Sequence, residues 1–246
     1  MRTLIFPFPV AFKEKKSAQS FLWPLLSLIF LTLPLSNYAQ KSVSDSTISM
    51  VWLDISYRGN LPGGDLAGRL GYTSLLGVDM SFKLANPLYF SIGVHYLFSD
   101  SVDLVGVLDP LLVPGGVLVT DNGLLTDTRT LGTGIVVPLS VGVLLPIVPR
   151  PNPNSGLFVE VGGQYLHHKI SIRPTEDEVA GLSDEYKKGY DRFTSGIGFR
   201  EAIGYRYVAN DGYVNFAIGL DFGQHFTRSR RSIDFSTGMQ DTSQRL

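Results

Sequence analysis

From residue 50 onward, apolar and polar residues alternate along the chain with a period of two, which is the repeat of a β-strand with two chemically different faces. Seven segments carry the pattern: 50–58, 72–84, 88–98, 131–147, 157–170, 195–207 and 213–227. The first segment places Val51, Leu53, Ile55 and Tyr57 on one face and Trp52, Asp54, Ser56 and Arg58 on the other. Because no comparable helical stripe follows residue 49, the pattern predicts an all-β fold.

The connections between these segments distinguish two all-β architectures. Alternation alone fits a soluble sandwich, whose apolar faces pack together, and a transmembrane barrel, whose apolar face meets lipid. The connections run long, short, long, short, long, short: 59–71, 85–87, 99–130, 148–156, 171–194 and 210–212. This order is typical of an antiparallel up-and-down barrel in the outer membrane, with short periplasmic turns and long outer loops. We therefore predict a transmembrane β-barrel of the eight-stranded class, with the soluble sandwich as the alternative.

Aromatic residues near the segment ends predict two belts at the membrane interfaces. One belt flanks the short turns, with Tyr89, Phe158, Tyr205, Tyr207 and Tyr213. The other lies towards the long loops, with Tyr57, Tyr72, Phe98, Tyr165 and Phe226.

The number of segments is odd, whereas bacterial single-chain barrels normally have an even number of strands. Residues 228–246 are largely polar and end without the terminal aromatic residue typical of such barrels. We therefore expect that the sequence lacks its last strand and that 228–246 belongs to the fourth outer loop.

The N-terminus has the order of a secretory signal peptide. Four basic residues precede the uncharged stretch 21–35, and the small residue Ala39 precedes Gln40. The alternative, a membrane-spanning helix, needs roughly 17 to 25 apolar residues, and Pro24 and Pro34 interrupt this run. We assign 1–39 to a signal peptide, 40–49 to a polar leader and 50–246 to the barrel.

Composition narrows the function classes. The chain is 44% hydrophobic and 17% charged and has no Cys, which excludes a disordered chain, a disulfide-stapled module and a zinc-thiolate domain. The net charge of -1 provides no basic field for nucleic acid.

The inward face of an eight-stranded barrel is filled by side chains, so a diffusion channel is not expected. Its charged positions are four acids and four bases: Asp54, Asp79, Glu160 and Asp221, with Arg58, Lys83, Arg200 and Arg206. Equal numbers predict a neutralised, hydrogen-bonded interior network, because an unpaired charge in that space would be costly. The functional alternative is an acid–base cluster or proton path.

Candidate catalytic residues are few. The stretch 165–171 invites comparison with the lipid A deacylases, small barrels that use a His and a Ser two residues apart on the lipid face. Here His167 and Ser171 share a face but are four residues apart, and His168 lies on the opposite face. This spacing does not bring a nucleophile and a base within hydrogen-bond reach, so we predict no catalytic residues, no metal and no cofactor.

The long connections carry two candidate binding surfaces. Connection 99–130 is far more apolar than a solvated loop, so it either prolongs the strands into a rim or docks another protein. The candidate interface residues are Val105, Leu108, Leu111, Leu112, Val117 and Leu118. Arg228, Arg230 and Arg231 are candidate contacts for lipopolysaccharide phosphates, and the alternative is a simple solvated rim.

The chain from residue 40 onward resembles the small outer-membrane β-barrel proteins of Bacteroidota-type Gram-negative bacteria. The resemblance rests on Tyr38-Ala39-Gln40, on the Leu-Pro-Gly-Gly-Asp-Leu stretch at 61–66 and on residues 187–192. It implies a non-enzymatic structural or accessory subunit of a secretion or outer-membrane assembly complex. The partners would be outer-membrane lipid, lipopolysaccharide and another outer-membrane or periplasmic protein. The alternatives are a lipid-modifying enzyme and a small-ligand-binding barrel.

Overall fold

The computed structural model describes residues 43–103, 107–147, 151–175, 179–211 and 214–245. The predicted signal peptide 1–39 and the candidate interface residue Val105 lie outside these residues. The strands are β1 (Met50–Asn60), β2 (Thr73–Lys83), β3 (Leu88–Ser99), β4 (Leu118–Val119), β5 (Leu125–Thr126), β6 (Thr128–Leu145), β7 (Gly156–Pro174), β8 (Thr194–Val208), β9 (Asn215–Ser229) and β10 (Gln244–Arg245). The helices are α1 (Gly64–Ala67) and α2 (Lys187–Tyr190), with 3₁₀ turns at Asp109–Leu111 and Ala180–Leu182. Neither helix is long and apolar enough to cross a membrane.

One antiparallel sheet contains all seven long strands, in the order β1-β2-β3-β6-β7-β8-β9, with the two-residue strand β10 on the far edge of β9. The seven strands expected from the period-two pattern are thereby confirmed, and so is the all-β class. Strands β4 and β5 form a separate small hairpin. In the described residues no backbone ladder joins β1 to β9 or to β10. One edge of the sheet is therefore β1, and the other is β9 with the short strand β10 beside it.

The connections divide the sheet into two ends. Of the described residues, the short-connection end carries 84–87, 146–147, 151–155, 209–211 and 214, and the long-connection end carries 61–72, 100–103, 107–127, 175 and 179–193. The described part of the predicted leader lies at the short-connection end, where the buried side chain of Asn154 holds it. The Asn154 Nδ2 donates to the carbonyls of Val43 and Ser46 at 3.0 and 2.9 Å, and the backbone N–H of Ile48 donates to its Oδ1 at 3.1 Å.

The apolar face of the sheet is exposed and its polar face is covered. On β1, Leu53 and Ile55 expose 75% and 84% of their surface, whereas Trp52 exposes 5%. The same alternation runs along β3, where every second residue is buried. This is the reverse of a soluble sandwich, in which apolar faces pack against each other. The sandwich alternative is therefore wrong.

The polar face curls so that its first and last strands meet through their side chains. Arg206 of β8 lies 2.8 Å from Asp54 of β1, and Arg58 of β1 lies 3.1 Å from Asp221 of β9. Since β1 and β9 are separated by five other strands in the sheet order, these contacts cross the concave side.

Two of the predicted belt residues point inward instead. Tyr89 and Phe158 expose only 1% and 8% of their surface and pack with Trp52 at the short-connection end. They lie on the polar face of the alternation, and glycines make room for them there. A Cβ on Gly142 would lie 2.2 Å from the Tyr89 ring, and a Cβ on Gly204 would lie 2.6 Å from the Phe158 ring. Tyr213 lies outside the described residues.

Candidate functional site

The interior network is centred on Arg200, which lies on the inward face of β8. Its Nη1 pairs with Glu160 and donates to Ser140 Oγ at 3.0 Å, and its Nη2 lies 2.7 Å from Asp221 Oδ2. The buried Tyr89 hydroxyl donates to Glu160 Oε1 at 2.8 Å. Arg200 therefore links side chains from β6, β7 and β9 through one planar group.

A second cation, Arg58, connects the opposite side of the network. Its guanidinium contacts Asp79 and Asp221, each at 3.1 Å. Asp79 also accepts a hydrogen bond from Ser56 Oγ at 2.7 Å and lies 2.9 Å from His95 Nε2. The His95 side chain is itself fully buried. Arg58, Ser56 and His95 together hold the Asp79 carboxylate in place.

The third cation, Arg206, pairs with Asp54 and also covers an aromatic ring. Its guanidinium carbon lies 4.4 Å from the ring centroid of Trp52, within the range of a cation–π contact. Seven of the eight residues expected in the interior charge network are thus joined by ion pairs: Asp54, Arg58, Asp79, Glu160, Arg200, Arg206 and Asp221.

Lys83 does not join these pairs. Its buried ammonium group donates to the backbone carbonyls of Ile48 and Leu84, at 3.1 and 3.0 Å. It is the last residue of β2, so it closes the short-connection end and lies beyond the row of carboxylates. The network consequently has four carboxylates and three guanidinium groups, with His95 as an additional partner of Asp79.

The His and Ser side chains of residues 165–171 do not form a nucleophile–base pair, whereas on the inner face Ser56 Oγ lies 3.0 Å from His95 Nε2. The His167 ring packs edge-on against Phe193 with centroids 5.3 Å apart, and His168 is buried on the opposite face of β7. Across the described residues, no hydrogen bond joins either imidazole to Ser171. The same part of the chain contains no group of three metal-ligating side chains arranged to hold an ion.

Most of the candidate interface residues of 99–130 are covered by the chain itself. Leu108 and Leu118 expose 4% and 1% of their surface, and Leu111 and Leu112 are half-buried against them. They pack on a cluster from the outer part of β7 and the connection that follows it, namely Ile170, Ile172, Val179, Leu182 and Tyr190. We call this assembly the cap. Leu108 and Leu118 therefore fasten the long connections together, Val117 is half-buried beside them, and docking of another protein on this connection stays a prediction.

Two of the three candidate lipopolysaccharide contacts are already engaged. Arg231 pairs with Asp191, whose hydrogen bond raises the pKa of the Arg231 guanidinium, and Arg230 Nε donates to Ser195 Oγ at 2.7 Å. Arg228 is exposed near the outer end of β9. Of the three, Arg228 is the side chain most available to an anionic headgroup.

A cavity of about 490 Å³ lies between β1 and β9, beneath residues 61–69. Polar groups line one part of it, including Arg58, Asp221 and His225, and leucines from the inner face line another. Arg69 at its outer rim is flanked by Asp241 at 3.6 Å. Burial, together with repulsion from Arg245 and Arg192, lowers the pKa of Arg69 to about 10. The lining takes residues from both faces of β9, so the cavity continues into the gap between the two edge strands.

Comparison with protein-family models, with curated protein sequences and with solved structures finds no match for this chain. The molecule defined by its own geometry is an antiparallel β protein with an apolar outer face and an ion-paired inner face.

Proposed function

We propose that this protein is an outer-membrane β-barrel that acts as a non-enzymatic structural or accessory subunit. The observation that carries the proposal is the exposure of the apolar face along the long strands. Val51, Ile92, Val161, Ile203 and Leu220 are each exposed by 42% or more on five different strands. Soluble monomers rarely expose contiguous apolar patches above a few hundred Å². Hydrocarbon is the solvent that fits such a face.

The enclosed polar face supports a scaffold more than a channel or an enzyme. Each of the four inward carboxylates is held by a guanidinium group, and the aromatic cluster around Trp52 fills the short-connection end. Carboxylates paired in this way are held by guanidinium groups and are not free to exchange protons.

A protein partner and lipopolysaccharide belong to this proposal through the outer loops. The surfaces left for them are the exposed residues of the β4–β5 hairpin region, Leu124 and Leu125, and the exposed Arg228. The leucines of the cap serve to fold these loops. The resemblance to accessory barrels of Bacteroidota-type bacteria supports a role within a larger envelope complex.

Lipid contact is testable because the sequence has no Cys, so a single introduced thiol labels one site. We would attach an environment-sensitive fluorophore to Ile55→Cys, on the outer face of β1, and to Leu124→Cys, in the 100–127 connection, after reconstitution into vesicles. Ile55 and Leu124 are both exposed apolar residues, at 84% and 56%. We expect doxyl-labelled lipid to quench the Ile55 label strongly and the Leu124 label weakly. Equal and weak quenching at both sites would overturn the membrane assignment.

A further inference from the structure

We propose that Glu201, on the outward face of β8, is the contact point for another membrane-spanning protein that carries a Lys or Arg at the same depth. The inference rests on the proposed function and deepens it, because it gives the accessory subunit a partner contact within the membrane. It concerns the lipid-facing surface and is separate from the cap and from the interior network.

Glu201 belongs to the apolar face of the sheet, although its chain neighbour Arg200 is the centre of the interior network. Arg200 and Ala202 are buried and Glu201 is exposed, as the alternation along a strand requires. At this position β8 pairs through Val161 with β7 and through Phe222 with β9, and both described ladders run on without a bulge. The outward direction of the carboxylate is therefore a property of the regular strand.

The register places Glu201 midway between the two aromatic belts. Tyr205, of the belt near the short turns, lies four residues from it along β8. In the opposite direction Ile197, also four residues away, pairs with Tyr165 and Phe226 of the other belt. Four residues span about 13 Å along a strand, or about 10 Å of depth in a strand tilted by about 40°. Headgroups at either interface are therefore too distant to pair with this carboxylate.

The described residues offer the carboxylate of Glu201 no cation, and its side chain makes no ion pair or hydrogen bond with them. Its neighbours Phe199 and Ile203 on the same face are apolar and exposed. The nearest outward cations along β7 and β9 are Lys169 and Arg228, and both lie beyond the outer belt. Because an ionised carboxylate in hydrocarbon is costly, such a residue indicates a functional contact with a partner group.

The surface beside Glu201 has room and a second polar group for a partner. Two residues towards the outer belt, Phe199 pairs with Gly163 on one side and with Gln224 on the other. The nearest heavy atom to a Cβ on Gly163 would be 3.7 Å away, so its outward side is an open recess. Gln224 is exposed on β9. Small residues allow close approach between membrane-spanning segments, and polar side chains add hydrogen bonds there.

Charge argues against a second copy of this chain as the occupant. Copies inserted in the same orientation place Glu201 at equal depth, so a symmetric contact would bring two carboxylates together. Lys169 lies eight residues from Val161, the register partner of Glu201, which is about 26 Å along the strand. A different protein with a Lys or Arg at mid-depth supplies the complementary charge without this repulsion.

The test supplies the cation on a synthetic membrane-spanning helix, because a helix pairs its own backbone groups and binds only through side chains. The peptide is a Leu–Ala helix of about 20 residues with one central Lys, and its control carries Leu at that position. The full chain is reconstituted in vesicles with a fluorophore on Val159→Cys, beside Glu201, or on Ile92→Cys of β3 as the distant control. Val159 and Ile92 are exposed outward residues, at 42% and 46%. A nitroxide at the centre of the peptide quenches a nearby fluorophore.

We expect the Lys peptide to quench the Val159→Cys label at a lower peptide-to-lipid ratio than the Ile92→Cys label. Adding Glu201→Gln should raise the half-quenching ratio about fivefold and abolish the difference between the Lys and Leu peptides. Equal quenching by the two peptides, or no effect of Glu201→Gln, would overturn the proposal. So would energy transfer between differently labelled copies of the chain that Glu201→Gln abolishes, because it would identify a second copy as the occupant.

Charge reversal covers the case in which Glu201→Gln alters folding or insertion of the chain. Glu201→Lys should bind a peptide with a central Glu and lose its preference for the Lys peptide. Failure of this rescue would contradict a contact that depends on charge.

Depth-dependent quenching separates this inference from the proposed function. A label on Glu201→Cys should be quenched more by doxyl groups near the end of the acyl chain than by doxyl groups near the headgroup. The reverse order, with strong quenching at Ile55→Cys, would overturn the mid-depth contact and leave the membrane assignment standing. Weak quenching at both Ile55→Cys and Glu201→Cys would remove the membrane assignment itself.

Discussion

At the residue scale, Arg200 organises the interior more than any other ionised side chain. Its guanidinium reaches two carboxylates and a serine hydroxyl on three other strands. The side chains of Arg200 and Glu160 expose only 7% and 9%. Removing one partner of such a pair leaves the other charge unpaired in a poorly solvated space. The resulting loss of folding free energy therefore exceeds the net stabilisation that the pair provides.

We predict that Arg200→Gln lowers the free energy of unfolding by about 3–5 kcal/mol. The measurement is the urea midpoint in detergent micelles, read at an unchanged m-value. The exposed Arg228→Gln is the matched control and should change stability by no more than about 0.5 kcal/mol. Similar midpoints for the two variants would show that the interior pairs contribute little.

Close packing between a ring and a glycine gives a second prediction at this scale. A methyl group on Gly142 would lie 2.2 Å from the buried Tyr89 ring, whereas the nearest atom to a Cβ on Gly163 is 3.7 Å away. Gly142→Ala should therefore destabilise the protein by about 1–3 kcal/mol because the ring must shift. Gly163→Ala should leave the urea midpoint nearly unchanged. A neutral Gly142→Ala would mean that Tyr89 repacks freely.

At the element scale, the strands were predictable because the pleat projects successive side chains to opposite faces. The alternation of apolar and charged side chains, such as Leu53 and Asp54 on β1 or Ile203 and Arg206 on β8, can be recognised in a single sequence. The cap was not predictable in this way. Leu108 and Leu118 are buried by contacts with β7 and with residues 179–190, and such long-range packing leaves no period in the chain. The contacts of Lys83 could not be predicted from the sequence either. Its partners are backbone carbonyls, which every residue carries, so the residue types do not indicate them.

The cap provides a prediction for the long connections. Leu118→Ala removes a side chain that is 1% exposed at the contact between 100–127 and β7, and the expected loss of packing is about 2–5 kcal/mol. We expect faster proteolysis within 100–127 and 175–193 while the strands stay protected. Leu125→Ala, at an exposed site in the same connection, should digest like the parent chain. Unchanged digestion of Leu118→Ala would show that the cap does not hold these connections.

At the scale of the whole molecule, the two ends of the sheet are built from different kinds of side chains and connections. The short-connection end is closed by the Trp52 cluster, by Lys83 and by Asn154, whereas the long-connection end carries the cap and the exposed leucines. Under the proposed function, this asymmetry determines which end faces outward.

An epitope tag reports that orientation. A tag inserted after Asn122, in the turn between β4 and β5, should be accessible to antibody on intact cells. The same tag after Asn86, in the 84–87 turn, should become accessible only after the outer membrane is permeabilised. The opposite labelling pattern would reverse the assigned orientation, and labelling of neither site in membranes would contradict surface exposure.

The exposed apolar face also has a consequence for how the chain acquires its structure. Hydrophobic collapse in water would bring together the side chains that end up outermost, such as Ile55 and Ile218, and would leave the arginines and carboxylates on the outside. The aqueous compact state would thus be turned inside out relative to the native one. Under the proposed function, productive folding has to coincide with entry into a bilayer, and an export route has to keep the polypeptide extended until it arrives.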